Sequence, residues 1–170
     1  NFTTATDTYN TAVGYGAGMA VTTGEQNTII GGLSGDAITT GGLNVAIGMH
    51  SLGANTVGSR ATALGYSALL AQNPATAVNT YNTAAGYEAG KSITTGIENT
   101  ILGALAGDAL TDADANVAIG ISALSGDTKG NKAIAIGKGA LYTQNFTTST
   151  DNYNIGIGHN AGLSITTGQQ

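Results

Sequence analysis

The chain has 170 residues, enough for one ordinary domain, and carries a net charge of −5 with only 9% charged residues. An acidic balance with no block of Lys or Arg argues against a phosphate-binding surface, so nucleic acid is not expected as a partner. Cysteine is absent, which excludes disulfides and thiolate metal sites, and no stretch approaches the ~20 consecutive apolar residues that span a bilayer.

One five-residue stretch returns nine times in chain order. It reads Asn-Thr-Ala-Val-Gly at 10–14, Asn-Thr-Ile-Ile-Gly at 27–31, Asn-Val-Ala-Ile-Gly at 44–48 and Ala-Thr-Ala-Leu-Gly at 61–65. The set restarts with Asn-Thr-Ala-Ala-Gly at 82–86 and continues at 99–103, 116–120 and 133–137; the ninth copy lies at 154–158. Steps of 17, 17, 17 and 21 residues, then the same again, define a 72-residue super-repeat. A fixed short period is the signature of a solenoid, so the sequence predicts an all-β parallel β-solenoid or β-roll of stacked 17-residue coils over a single region, 1–170.

Each pentad predicts a short strand ending at Gly. With the first pentad residue numbered 1, positions 2 and 4 share a face, and position 4 carries the large side chains. Val13, Ile30, Ile47, Leu64, Leu102, Ile119, Ile136 and Ile157 are therefore expected to form the core column, with Ala85 in the fifth coil. Positions 1 and 3 then face a second layer or a neighbouring chain, and stacked Asn side chains would form a hydrogen-bond ladder.

Downstream of the strand the coils fall into two kinds. Four pair Leu at position 9 (Leu52, Leu69, Leu124, Leu141) with a polar position 12, and the others pair Gly at 9 with an apolar 12. Close packing predicts this exchange if both positions fill one interior. At one strand spacing per coil, ~4.8 Å, the super-repeat is about 19 Å long and nine coils about 43 Å.

The fourth coil of each unit is longer and predicts a bulge at 73–81, with equivalents at 145–153 and 1–9. The bulges end in Tyr9, Tyr81 and Tyr153, the candidate contacts for a surface or glycan. Asn1 and Asn145 open Asn-Phe-Thr sequons, candidate glycosylation sites. The fourth coils also replace Asn by Ala61 and Ala133, each preceded by a basic residue, Arg60 or Lys132. Because residues 1–9 repeat 145–153, the chain reads as a slice of a longer periodic protein, and joining its ends would break the super-repeat.

The run Asn-Val-Ala-Ile-Gly-x-x-Ala-Leu at 116–124 resembles the head repeats of trimeric autotransporter adhesins. The Thr-Gly-x-x-Asn-Thr linkers at 23–28 and 95–100 are similar to repeat shafts of bacterial and phage fibre proteins. This resemblance implies a homotrimeric bundle of β-rolls, on the cell surface or virion, that attaches to host glycan or protein.

No catalytic constellation accompanies the repeats. His50 and His159 occupy different coil positions, and neither a nucleophile elbow nor a phosphate loop with Lys is present. Asp36 and Asp108 read as turn residues, since a Ca²⁺ site needs several converging oxygens. No cofactor or metal is expected, nor enzymatic activity or membrane insertion. The expected function is an extracellular fibre or adhesin. A rigid spacer is the runner-up, and an ice- or crystal-binding face built on the Thr pairs Thr22-Thr23, Thr39-Thr40, Thr94-Thr95 and Thr166-Thr167 is a third reading.

Overall fold

A computed structural model describes residues 7–169. Strands β1 (Thr11–Val13), β2 (Thr28–Ile30), β3 (Val45–Ile47), β4 (Thr62–Leu64), β5 (Thr83–Ala85), β6 (Thr100–Leu102), β7 (Val117–Ile119), β9 (Ile134–Ile136) and β11 (Ile155–Ile157) form one parallel sheet in sequence order. Every pairing joins equal coil positions, as in Val13 with Ile30 and Ile30 with Ile47. The chain is thus an all-β parallel solenoid of 17-residue coils. Two further strands, β8 (Gly130–Asn131) and β10 (Thr150–Asp151), pair in parallel where the second bulge leaves the stack. Among the described residues no helix is long and apolar enough to cross a membrane.

The strand faces are reversed from the sequence expectation. Position 3 lines the interior: Ile29, Ala46, Ala63, Ala84, Ile101, Ala118 and Ala135 are at most 1% exposed. The expected core column lies on the outer face, with Val13 57%, Ile30 36%, Leu64 48%, Leu102 38% and Ile157 66% exposed, and Ile47, Ile119 and Ile136 only half-buried. The column itself is real and in register, but it does not fill the coil.

The Asn at position 1 explains the reversal. It shares a face with position 3, and its amide is fully used inside the coil. Asn99 Nδ2 donates to Ala113 O at 2.8 Å, while Asn99 Oδ1 accepts Asn116 N–H at 3.0 Å from the next coil. Asn27, Asn44, Asn82 and Asn116 make the same pair of bonds. Both groups are buried backbone partners that would otherwise lack a bond. With Asn turned inward, position 3 follows it, and the bulky position 4 must point out.

Leu52, Leu69, Leu124 and Leu141 at position 9, and Ile38, Ile93 and Leu110 at position 12, complete the interior at 0% exposure. Burial of each contributes about 2 kcal/mol. The exchange between the two positions is the steric one expected: a Cβ on Gly35 would lie 2.9 Å from Ile38 Cδ1. The polar residues at position 12, Asn55, Gln72, Asp127 and Gln144, are also fully buried. Where Ala61 and Ala133 interrupt the Asn ladder, Gln72 Oε1 accepts Asn82 Nδ2 at 2.9 Å and Gln144 Oε1 accepts Asn154 Nδ2 at 2.8 Å.

The strand-ending glycines form their own column. Gly103 has φ +130°, and a Cβ there would sit 2.7 Å from the Gly120 carbonyl group of the next coil. Only Gly meets both the backbone angle and the close stacking.

Candidate functional site: the bulges and the outer sheet face

Each bulge is tied back to the coil before it. In the first, Ser59 N–H donates to Val78 O and Thr80 N–H to Ser59 O; in the second, β10 pairs with β8. Pro74 and Phe146, at equivalent places, are buried as plugs under the two loops. Beneath Phe146 lies Asp127, a fully buried carboxylate. Its Oδ1 accepts the N–H groups of Gly130 at 3.1 Å and Phe146 at 2.9 Å, and its Oδ2 accepts Gln144 Nε2 at 2.6 Å. Three donors satisfy a carboxyl group that would be costly to bury without partners.

The basic residue before Ala61 or Ala133 clasps the bulge. Arg60 Nε donates to Asn79 Oδ1 at 3.1 Å, and its guanidinium lies 5.9 Å from the Tyr81 ring centroid. Lys132 Nζ donates to Asp151 Oδ2 at 2.6 Å and lies 5.3 Å from the Tyr153 ring centroid. The hydrogen bond from Lys132 holds the Asp151 carboxyl below the usual carboxylate range, and the same bond raises Lys132. The Arg and Lys that accompany the fourth coils were visible in the sequence; their partners were not, because these lie 19 to 21 residues downstream.

Tyr81 and Tyr153 are about half exposed, at 51% and 52%, with a cation near each ring, and Tyr9 is 72% exposed. Asn145 is exposed, and its Oδ1 accepts Thr128 Oγ1 at 3.1 Å. Asn1 lies outside the described residues, with the rest of 1–6 in the N-terminal bulge at 1–9. A stacked pair that sequence reading missed, Tyr66 and Tyr87, stands on adjacent coils with centroids 5.4 Å apart, and His50 meets Tyr66 edge-on. Its signal was the recurrence of Tyr one residue after the strand-ending Gly.

The Thr column is committed along the stack. Thr22, Thr39, Thr94 and Thr111 donate their hydroxyls to the carbonyl of the residue 17 further on, at 3.0–3.2 Å. Asp108 Oδ1 accepts Ser125 Oγ at 2.6 Å. Among the described residues no group of three or more His, Asp or Glu is placed to hold a metal ion.

Among the described residues the outer sheet face has nothing packed on it. Positions 2 and 4 of nine successive strands present Thr, Val, Ile, Leu and Ala with no charged residue. In comparisons with known proteins, the chain matches no family model, no curated sequence and no solved structure.

Proposed function

We propose that this chain is a non-enzymatic shaft or head of a homotrimeric extracellular fibre, on a cell or a virion, that attaches to a surface. The observation that carries this reading is the outer face of the sheet: an uncharged strip nine strands long, with an apolar column at position 4 beside Thr or aliphatic residues at position 2, on the outside of a coil that is already closed. At one strand spacing per rung, ~4.8 Å, it runs about 43 Å, far beyond the scattered apolar residues of an ordinary surface. Two further copies of the same strip are its natural cover, because a face of identical rungs matches itself in register. The resemblance to trimeric adhesin heads and fibre shafts supports the same assembly.

The mass of the folded species tests it. Three chains per particle is the expected result, and Ile47→Asp with Ile119→Asp should yield folded monomers; a wild-type monomer would remove the reading. Attachment is assigned to the bulges, the protruding and aromatic part of each unit. Tyr81→Ala with Tyr153→Ala is expected to leave the trimer intact and weaken adhesion to target cells; unchanged adhesion would favour the rigid spacer instead. Ice binding has less support, since the first Thr of each pair spends its hydroxyl on a carbonyl of the next coil, as Thr22 and Thr39 do.

A further inference from the structure

At the turn that follows the strand, the two 72-residue units present different surfaces. In the first unit the side chains there cover one another. Tyr66 stacks on Tyr87, His50 meets Tyr66 edge-on, and Lys91 Nζ donates to Glu88 Oε2 at 3.0 Å. The strands of both units pair at equal coil positions, so residues 72 apart stand at equivalent places. In the second unit Ser122 replaces His50, Lys138 replaces Tyr66, Gly139 replaces Ser67, and Asn160 replaces Glu88. These four, with Tyr142 and Leu163, line a groove of about 240 Å³.

The groove carries a cation and no acid. Lys138 is its one charged lining residue, it is exposed, and among the described residues no carboxylate forms a salt bridge with it. His159 stands one coil further on in the same column. Asp108, on the coil before Ser122, has its Oδ1 on Ser125 Oγ at 2.6 Å. In a chain of net charge −5 this is a local reversal of sign. Gly139 shapes the wall. Its φ is +67°, and a Cβ there would lie 2.5 Å from Asn160 Oδ1, so Gly leaves the room that this amide occupies.

The rest of the lining has both an apolar and a polar side. Tyr142 is 46% exposed and Leu163 38%, while Ser122 and Asn160 add a hydroxyl and an amide. The volume falls just short of the ~300 Å³ at which small-molecule sites begin, which limits the occupant to about one ring. An ammonium suits a carboxylate, the hydroxyl and amide suit ring hydroxyls, and the Tyr142 ring with Leu163 suits the apolar face of a sugar.

We propose that this groove binds a sugar that carries a carboxylate, with Lys138 on the acid group and Tyr142 against the ring. This gives the attachment reading a ligand class and rests on it for its purpose, but binding of a soluble sugar is a separate measurement.

The test is titration of the full chain, in its native assembly, with glucuronate, N-acetylneuraminate, glucose and acetate, following the backbone amide resonances of Gly139 and Asn160. Saturating shifts with at least one acidic sugar are expected in the millimolar range, with glucose and acetate each about fivefold weaker, as suits an open groove with one exposed ion pair. The amides of Ser67 and Glu88, at the equivalent places of the first unit, should stay still. Which acid binds more tightly separates a uronate from a sialate source. Lys138→Gln should remove the preference for acidic over neutral sugar, and Tyr142→Ala should weaken both about fivefold.

No saturating shift with either acid, glucose or acetate binding as tightly as the acids, or equal shifts at Glu88 would overturn the proposal. So would an unchanged preference in Lys138→Gln or unchanged affinity in Tyr142→Ala. If either variant fails to fold, the comparison of the four ligands on the unaltered chain decides. Sugar binding without cell attachment would sink only the fibre reading; attachment without sugar binding would sink only the groove.

Discussion

At the scale of single residues, the inward Asn does two tasks that no apolar residue could share. Each ladder Asn joins a carbonyl fourteen residues onward to an N–H of the following coil, so its loss strands two buried backbone groups. Asn99→Ala is therefore expected to cost about 2–4 kcal/mol in chemical denaturation, more than a typical hydrogen bond, because both partners stay buried and unpaired. A loss under about 1 kcal/mol would mean that water replaces the amide. The backbone makes a second demand. Leu52, Leu69, Leu124 and Leu141 take φ between +50° and +54°, a left-handed state that costs about 1–2 kcal/mol for a residue with a Cβ. Their full burial is what offsets that strain.

At the scale of one coil, positions 9 and 12 share one interior space and fill it with a single large apolar group, beside whatever position 3 supplies. Gly35→Leu should overfill the second coil, because Ile38 already occupies the space, and cost about 1–3 kcal/mol. Adding Ile38→Asn recreates the third coil's pairing of Leu52 with Asn55, where Asn55 bonds Gly58 through both its amide atoms. The double variant is expected to recover most of the loss, read as a coupling energy between the two sites; strict additivity would contradict a shared interior.

The bulge clasps differ in chemistry, and acid should separate them. Asp151 lies below its ordinary value when folded, so its contribution is present above the usual carboxylate range and is lost as pH falls through the lowered value. Lys132 is raised, so its share persists below the usual lysine range and is lost only as pH rises through the raised value. Arg60 holds a neutral amide instead. Ring resonances of Tyr153 should therefore move on acidification while those of Tyr81 hold steady; parallel shifts in both would show that the salt link does not set the loop.

At the scale of the whole molecule, two surfaces divide the work. The inner face makes one chain fold, and among the described residues nothing covers the outer face. Under the proposed trimer, Ile47→Asp with Ile119→Asp should abolish assembly while leaving the melting of the coil near its original temperature, by mass and by circular dichroism together. Loss of fold in the same variant would mean that the rungs are not stable singly, as in assemblies whose subunits never exist alone.

The amino-acid sequence by itself determined the period, the in-register stacking of Val13, Ile30 and Ile47, the exchange between positions 9 and 12, and the bulge every 72 residues. All of these are statements about what repeats, and repetition is legible in one dimension. Only the tertiary structure decided which strand face is inside. Alternation separates two faces but does not rank them, and the size of position 4 pointed the wrong way until the Asn amides found their carbonyls. The clasps of Arg60 and Lys132, and the groove that gathers Ser122, Lys138 and Asn160, were hidden for a related reason. Each is an arrangement across neighbouring coils, made by residues far apart in the chain, and it exists only once the coils lie on one another.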